Sequence, residues 1–222
     1  MLNRIITLDE VDSTNNYLKL NRGELPDGTL VTARIQTAGK GRRGHEWLAD
    51  QGMLPMSLLL KQPPHPDTLT LCAGVAVCEA LEPLLPGEEL GIKWPNDIIL
   101  RGHKLCGILC ESVCFGSSMD IVCGIGVNLA QTAEFFEKAN IPHGGSVEML
   151  TGVTINDRDK LAEDIAERLY SYSRSGFESV REKYVKRCLT VGKKIRIIEN
   201  GSEREAFAEG IAPNGFLICS DE

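Results

Sequence analysis

The sequence lacks the features that define several large classes of protein. It has no excess of positive charge, because 24 Lys and Arg residues stand against 31 Asp and Glu residues and give a net charge of −7. Nucleic acid binding needs clustered cations that neutralise phosphates, so we do not expect DNA or RNA to be a partner. No stretch reaches the about 18 apolar residues of a membrane span, since even the run Leu69–Leu81 contains Thr70 and Glu79. The N-terminus carries acids by position 9 and resembles no signal or transit peptide, which favours a cytoplasmic protein without a membrane partner.

A disulfide or zinc framework is not indicated either. The chain has eight cysteines, but none of them form a CxxC pair. All except Cys188 lie in apolar surroundings, where Cys acts as a small hydrophobic residue. A catalytic thiol has no adjacent His in the sequence. We therefore expect the cysteines to be structural thiols.

With 222 residues, 42% of them apolar, the chain can bury one sizeable core and carry a small second domain. Alternating or apolar runs predict strands at residues 3–9, 29–36, 53–61, 91–94, 97–100, 104–114 and 119–127. Helical periodicity predicts helices that end near residue 21 and that cover residues 67–84, 161–172 and 177–188. Residues 129–156 form a weakly patterned connection, and short alternating stretches follow residue 189. The pattern predicts an α+β fold with a domain at 1–188 and a small β domain at 189–222.

A glycine-rich cationic loop follows the second predicted strand. Residues 39–44 read GKGRRG and match GxGxxG, but no helix follows the loop, which argues against a dinucleotide site. A phosphate-binding Walker loop is absent, because Arg34 and Gly41 stand where that motif needs Gly and Ser or Thr. Phosphate or carboxylate oxygens would instead be neutralised by three side chains, Lys40, Arg42 and Arg43. The alternative interpretation is a solvated basic turn.

Three further segments carry charged residues or glycines in strand-like surroundings. In residues 91–97, a proline bend sets Lys93 beside Asn96 and Asp97, which suits a phosphate and a magnesium ion, although an ordinary turn would look the same. In residues 104–111, strict alternation predicts that Lys104 and Glu111 lie on opposite faces. Glycines at 124 and 126 indicate close approach of the backbone to a ligand or tight packing of the sheet.

Together these segments resemble the biotin–protein ligase family. The matching motifs are DSTNN (12–16), QTAGKGRRGHEW (36–47), KWPND (93–97), KLCGILCES (104–112) and GIGVNL (124–129). Residues 207–218, FAEGIAPNGFLI, are similar to the C-terminal domain of that family. Each motif is weak alone, but five in this order and spacing are specific and span nearly the whole chain.

The resemblance implies a mixed β-sheet backed by helices, as in class II synthetase-like domains, followed by an SH3-like β domain. It also implies a reaction in which ATP and biotin form biotinyl-5′-AMP and pyrophosphate, with Mg²⁺ as the metal. A lysine of a biotin carboxyl carrier domain then attacks the adenylate and becomes biotinylated. Members of the family are monomers or homodimers.

Residue roles follow from the resemblance, position by position. The implied biotin-binding residues are Ser13, Thr14, Asn15, Gln36, Lys40, Gly41, Arg42, Trp47, Lys104, Gly107, Gly124 and Gly126. The implied nucleotide-binding residues are Lys40, Arg42, Arg43, Lys93, Asn96, Asp97 and Asn128. The implied catalytic residues are Arg42, Lys93, Asp97 and Lys104. Asp97 and Glu111 are the implied partners of Mg²⁺.

Some positions depart from the family pattern. Lys40 and His45 stand where arginine is usual, which puts pyrophosphate contacts at His45 in question. The chain starts at the first catalytic strand, so the DNA-binding repressor branch is not expected, and it ends where one or two more strands would be expected. Three rival functions stay open: a lipoate–protein ligase, an octanoyltransferase with Cys106 beside Lys104, and a biotin sensor without turnover.

Overall fold

A computed structural model describes residues 1–44, 46–48, 50–116, 118–199 and 201–221. Seven strands form one sheet, namely β1 (Arg4–Val11), β2 (Thr29–Gln36), β3 (Met53–Leu60), β4 (Leu90–Lys93), β5 (Asp97–Leu100), β6 (His103–Phe115) and β7 (Ser118–Asn128). Their order is β1-β2-β3-β7-β6-β5-β4. β1 and β2 run parallel and the other neighbours run antiparallel, so the sheet is mixed.

Six helices accompany the sheet in the described part of the chain. They are α1 (Thr14–Asn21), α2 (Leu69–Leu81), α3 (Ala133–Lys138), α4 (Val147–Thr151), α5 (Arg158–Ser175) and α6 (Arg181–Arg187). The predicted α+β class and the helix-backed mixed sheet are confirmed. None of these helices combines the length and the apolar character needed to cross a lipid bilayer.

Residues 129–156 are more ordered than their weak pattern predicts. They contain α3 and α4, which have six and five residues. Both helices are too short to show helical periodicity, but each starts at a capping hydroxyl. Thr132 accepts a hydrogen bond from the backbone of Phe135, and Ser146 accepts one from Met149. The connection predicted at 129–156 thus contains two short capped helices that its weak pattern did not indicate.

The two faces of the large sheet have different roles. Helices α2 and α5 cover one face and form the main hydrophobic core with the strands. The opposite face carries α1, whose Leu18 packs against Val31, Leu59 and Val122 in a second cluster. Further along this second face, the alternation of β3 and β7 places Ser57 next to a glycine-lined surface. The candidate site lies there.

A β-bulge reorients the start of β6. The pairing of β6 with β5 is interrupted, so Leu105 is an extra residue with no opposite partner. A bulge breaks the alternation of side chains. Lys104 therefore shares a face with Gly107 and Glu111, and the prediction that Lys104 and Glu111 lie on opposite faces is wrong.

The C-terminal segment forms a separate sheet of three antiparallel strands within the described residues. These are β8 (Lys194–Glu199), β9 (Ser202–Ile211) and β10 (Leu217–Ser220), in the order β10-β9-β8. Trp94 joins this segment to the large sheet, since its backbone N–H donates to Thr190 Oγ1 and its indole N–H donates to the carbonyl of Gly215. The division at 188/189 stays a prediction.

Candidate active site

The polar end of the site forms where α1 begins beside the end of β2. Ser13 caps α1 by accepting a hydrogen bond from the backbone N–H of Asn16. The backbone N–H of Thr14 donates to Gln36 Oε1 over 3.0 Å, and Thr14 Oγ1 lies 3.2 Å from the same oxygen. Ser13, Thr14 and Gln36 are all buried. This end therefore offers hydroxyl and amide groups that are shielded from water.

Strand β3 adds a hydroxyl that the sequence analysis missed. Ser57 is fully buried, and its Oγ lies 2.7 Å from Thr14 Oγ1 and 2.6 Å from Asn15 Oδ1. The strand reads MLPMSLLL and is buried at every position. A hydroxyl in such a strand needs a hydrogen-bond partner, and that signal could have identified Ser57.

Glu111 lies at the same polar end. Its Oε2 accepts a 2.7 Å hydrogen bond from Asn15 Nδ2, and its Oε1 lies 2.8 Å from Lys19 Nζ. Partial burial alone would raise the pKa of Glu111, but hydrogen bonds from Lys19 and Asn15, with the charges of Lys19 and Lys40, lower this pKa overall. The carboxylate is thus ionised at neutral pH and held by protein donors.

Three glycines make a flat surface next to this polar end. A Cβ added at Gly126 would lie 2.5 Å from Trp47 Nε1, and one added at Gly107 would lie 2.8 Å from Trp47 Cζ3. A Cβ at Gly124 would lie 2.4 Å from Asn15 Oδ1. The indole of Trp47 therefore rests directly on the backbone of β6 and β7. Only glycine permits this approach.

The glycine-rich loop projects over the site. It is closed at its base by pairing of Lys40 with Glu46 and by a hydrogen bond from the backbone N–H of Trp47 to Gly39. Arg42 is exposed and its Nη1 donates to Asn96 Oδ1 over 2.9 Å. Arg42 thus links the loop to the KWPND turn. His45, whose role was in question, lies outside the described residues.

Lys104 lies between Asp97 and the ring of Trp47. Its Nζ lies 2.7 Å from Asp97 Oδ1 and 5.2 Å from the centre of the Trp47 ring. The contact with Asp97 is an ion pair without hydrogen-bond geometry, so the buried Oδ1 retains unused acceptor capacity. Asn128 holds the backbone here, because its Nδ2 donates to the carbonyls of Gly145 and Lys104.

The structure does not bring the two predicted magnesium ligands together. Asp97 pairs with Gly107 across β5 and β6, and Glu111 lies four residues further along β6. At about 3.3 Å per residue, the backbone positions of Asp97 and Glu111 are offset by about 13 Å along the strands. Glu111 is held by Lys19 and Asn15, whereas Asp97 faces Lys104, so the two carboxylates have different surroundings and their roles toward Mg²⁺ stay predictions. No cluster of three or more His, Cys, Asp or Glu ligands occurs among the described residues.

Two adjoining cavities collect the predicted residues. The smaller has a volume of about 60 Å³ and is lined by all twelve residues predicted to bind biotin. The larger is a cleft of about 1010 Å³ that reaches the C-terminal sheet, with a wall formed by residues that include Ile195, Ile197 and Leu217. It is lined by the predicted nucleotide-binding residues except Lys40, namely Arg42, Arg43, Lys93, Asn96, Asp97 and Asn128. Five residues border both cavities: Gly41, Arg42, Trp47, Asn96 and Lys104.

Cys106, the candidate octanoyltransferase nucleophile, does not reach these cavities. All eight lie in the described part of the chain and are free thiols. Burial raises the pKa of the Cys106 thiol well above its ordinary value, even though the positive charge of Lys104, two residues away in the sequence, lowers this pKa. Cys106 is fully buried in the main core, on the face opposite Lys104. An octanoyltransferase-type thiol is therefore not available there.

Comparison with known proteins gives the same family as the motifs. Residues 8–128 match the family described as the biotin/lipoate A/B protein ligase family. A biotin–acetyl-CoA-carboxylase ligase of Paracoccus denitrificans is 36% identical over 224 residues, which cover 95% of this chain and 92% of the relative. The ligase of the same name from Mycobacterium tuberculosis is 33% identical over 206 residues, which cover 88% and 74%.

Solved structures agree with these relatives. The biotin protein ligase from Aquifex aeolicus in complex with biotin and ATP superposes with a TM-score of 0.82 at 28% identity. The match covers 100% of this chain and 93% of the other. The resemblance predicted from the five motifs is confirmed, and the chain belongs to the biotin/lipoate A/B protein ligase family.

Proposed function

We propose that this protein is a biotin–protein ligase. It joins biotin to ATP, which releases pyrophosphate and forms biotinyl-5′-AMP, and a lysine amine of a biotin carboxyl carrier domain then displaces AMP to form an amide. The observation that carries the proposal is the pair of adjoining cavities. The small cavity has a buried polar end for a ureido ring and a flat glycine surface for the rest of the ligand. It meets the larger cleft at two cations, Arg42 and Lys104.

The first half-reaction brings a carboxylate to a triphosphate, so its main demands are neutralisation of charge and alignment. Lys104 lies where the two cavities meet and would face the biotin carboxylate and the attacked phosphate. Lys93 is exposed in the larger cleft and would face the remaining phosphates. Arg42 would close over both anions from the glycine-rich loop. A protein nucleophile is not needed for this step.

The residues present fit a magnesium ion that arrives with ATP. Mg²⁺ is commonly held by one or two carboxylates together with substrate phosphates. Asp97 supplies one carboxylate in the larger cleft, and its Oδ1 forms an ion pair with Lys104 but accepts no hydrogen bond. Asp97 would hold the ion, which would neutralise phosphate charge. Glu111 is assigned no metal role here.

The loop protects the product of the first step. A mixed anhydride hydrolyses in water, and a loop that closes over it excludes water. The hydrogen bond between Arg42 and Asn96 shows that the loop tip reaches the opposite wall of the cleft. Closure would keep the adenylate bound until the carrier lysine enters.

The location and partners complete the proposal. ATP and a carrier domain of a carboxylase are found in the cytoplasm, and eight free thiols suit a reducing compartment. The name of the Paracoccus relative supports an acetyl-CoA carboxylase as the source of the carrier domain.

The test is exchange of labelled pyrophosphate into ATP, with biotin and lipoate in parallel. Biotin-dependent exchange is expected, whereas exchange with lipoate alone would assign the rival ligase. Biotin binding without exchange would indicate a sensor. Lys104→Met should lower exchange by about 10²-fold to 10³-fold, as for removal of one group that stabilises charge in the transition state. Lys138→Met is the matched control, because Lys138 also forms a 2.7 Å ion pair, with Glu134 on the surface of α3.

A further inference from the structure

A continuous chain of hydrogen bonds runs from the surface of the molecule to the polar end of the small cavity. It starts at Lys19 on α1, passes through Glu111 on β6, Asn15 on α1 and Ser57 on β3, and ends at Thr14. The successive contacts measure 2.8, 2.7, 2.6 and 2.7 Å. Lys19, Glu111 and Ser57 do not line the cavity, so their influence on a ligand is expected to pass through Asn15 and Thr14, which do line it.

The charged end of this chain fixes the orientation of the Asn15 amide. A carboxylate can only accept hydrogen bonds, and the carbonyl of Leu109, 3.3 Å from Asn15 Nδ2, can also only accept. The amide NH₂ must therefore face Glu111 and Leu109. Asn15 Oδ1 then faces Ser57, and the single hydroxyl proton of Ser57 is committed to that oxygen.

The orientation is passed on to Thr14. Because the Ser57 proton points to Asn15, Ser57 can only accept in its 2.7 Å contact with Thr14, and Thr14 is the donor when this contact is a hydrogen bond. The alternative acceptor of the Thr14 proton is Gln36 Oε1, which also belongs to the protein. In both cases Thr14 has no proton left for a ligand and presents only its lone pairs to the cavity.

We infer that Lys19, Glu111 and Ser57 are positioning residues for ligand binding. They orient the chain of hydrogen bonds so that Thr14 accepts a hydrogen bond from an N–H group of the ligand. Every donor in the chain points toward the carboxylate, and hydrogen bonds aligned in this way strengthen one another. Under the proposed function, on which this inference rests, the N–H belongs to the ureido ring of biotin. Glu111 thus acts on biotin affinity rather than on a metal.

The experiment is a double-mutant cycle on the dissociation constant of biotin, measured by calorimetry without ATP. Ser57→Ala breaks the chain and is expected to weaken biotin binding about tenfold, the worth of one hydrogen bond. Glu111→Gln allows the Asn15 amide to turn over and is expected to weaken binding about fivefold. The double variant should bind about as tightly as Ser57→Ala alone, because both changes act through one chain.

The control variant is Thr32→Val, which removes the buried Thr32 hydroxyl and its 3.2 Å hydrogen bond to the exposed Thr7, away from the cavities. It should leave the biotin affinity within twofold of wild type. Effects of Ser57→Ala and Glu111→Gln that multiply, or that stay within twofold of wild type, would overturn the inference. The wild-type protein is measured first. If it binds no biotin, both the proposed function and the positioning role that rests on it are overturned before any variant is compared.

Discussion

The close contact between Trp47 and the glycine surface makes Gly126→Ala an informative perturbation. The added Cβ would lie 2.5 Å from Trp47 Nε1 and 2.8 Å from Trp47 Cε2, whereas ordinary contacts fall at 3.4–4 Å. The indole must therefore move by roughly 1 Å, since β7 is held between β3 and β6 and cannot yield. The move would also break the hydrogen bond from Trp47 Nε1 to Met53 Sδ.

The expected magnitude follows from the cost of overpacking. Forcing an extra methyl group into a well-packed place costs about 1–3 kcal/mol, which corresponds to about a fivefold to 150-fold change in an equilibrium constant. Because Trp47 also lines the small cavity, we expect the cost to appear in biotin binding. Calorimetry of biotin binding and biotin-dependent pyrophosphate exchange measure it.

The matched control is Gly210→Ala in β9, where an added Cβ meets nothing within 4 Å. This variant should bind biotin as wild type does and keep its melting temperature. If Gly126→Ala kept the wild-type affinity for biotin, the indole would not be part of the biotin site, and the reasoning from the glycine surface would be refuted.

Three further predictions concern the loop, a thiol and an acid. Arg42→Ala removes the contact with Asn96 and should increase release of the adenylate and labelling of unrelated proteins; retention of adenylate at the wild-type level would contradict the lid role. Cys106→Ala should keep pyrophosphate exchange and lose about 1 kcal/mol of stability, because this buried thiol only packs; loss of exchange in folded protein would contradict this. Burial alone would raise the pKa of Glu79, but hydrogen bonds from Lys183 and Tyr172 lower this pKa below its ordinary value of 4.5. This ionised group stabilises the fold above pH 4.5 and loses that effect as the pH falls through its lowered pKa. Below pH 4.5 the urea midpoint of unfolding should therefore fall more steeply for the wild type than for Glu79→Gln.

The main elements could be predicted from the sequence because their patterns are local. The strand predicted at 29–36 has the same bounds as β2. Helix α2 lies inside the predicted range 67–84, and short 3₁₀ turns adjoin both of its ends. The residues around the two cavities came from five motifs, since each motif keeps several site residues together in the sequence. Their individual roles stay predictions.

The rest depended on features that no local pattern contains. The bulge at Leu105 moves Lys104 to the other face of β6, and alternation cannot foresee a break in the pairing of two strands. The separation of Asp97 from Glu111 depends on the register of β5 against β6. Lys19 is distant in sequence from Glu111 and meets it only because α1 lies across the second face of the sheet.

The positions of the two tryptophans give this protein a built-in optical probe. The chain contains only Trp47 and Trp94, and both border the larger cleft. Trp47 lies on the glycine surface of the small cavity, whereas Trp94 is hydrogen-bonded to the C-terminal segment. All of the tryptophan fluorescence of the molecule therefore originates beside the larger cleft. Trp94→Phe would leave a signal that follows the small cavity, and Trp47→Phe would leave one that follows the junction with the C-terminal sheet.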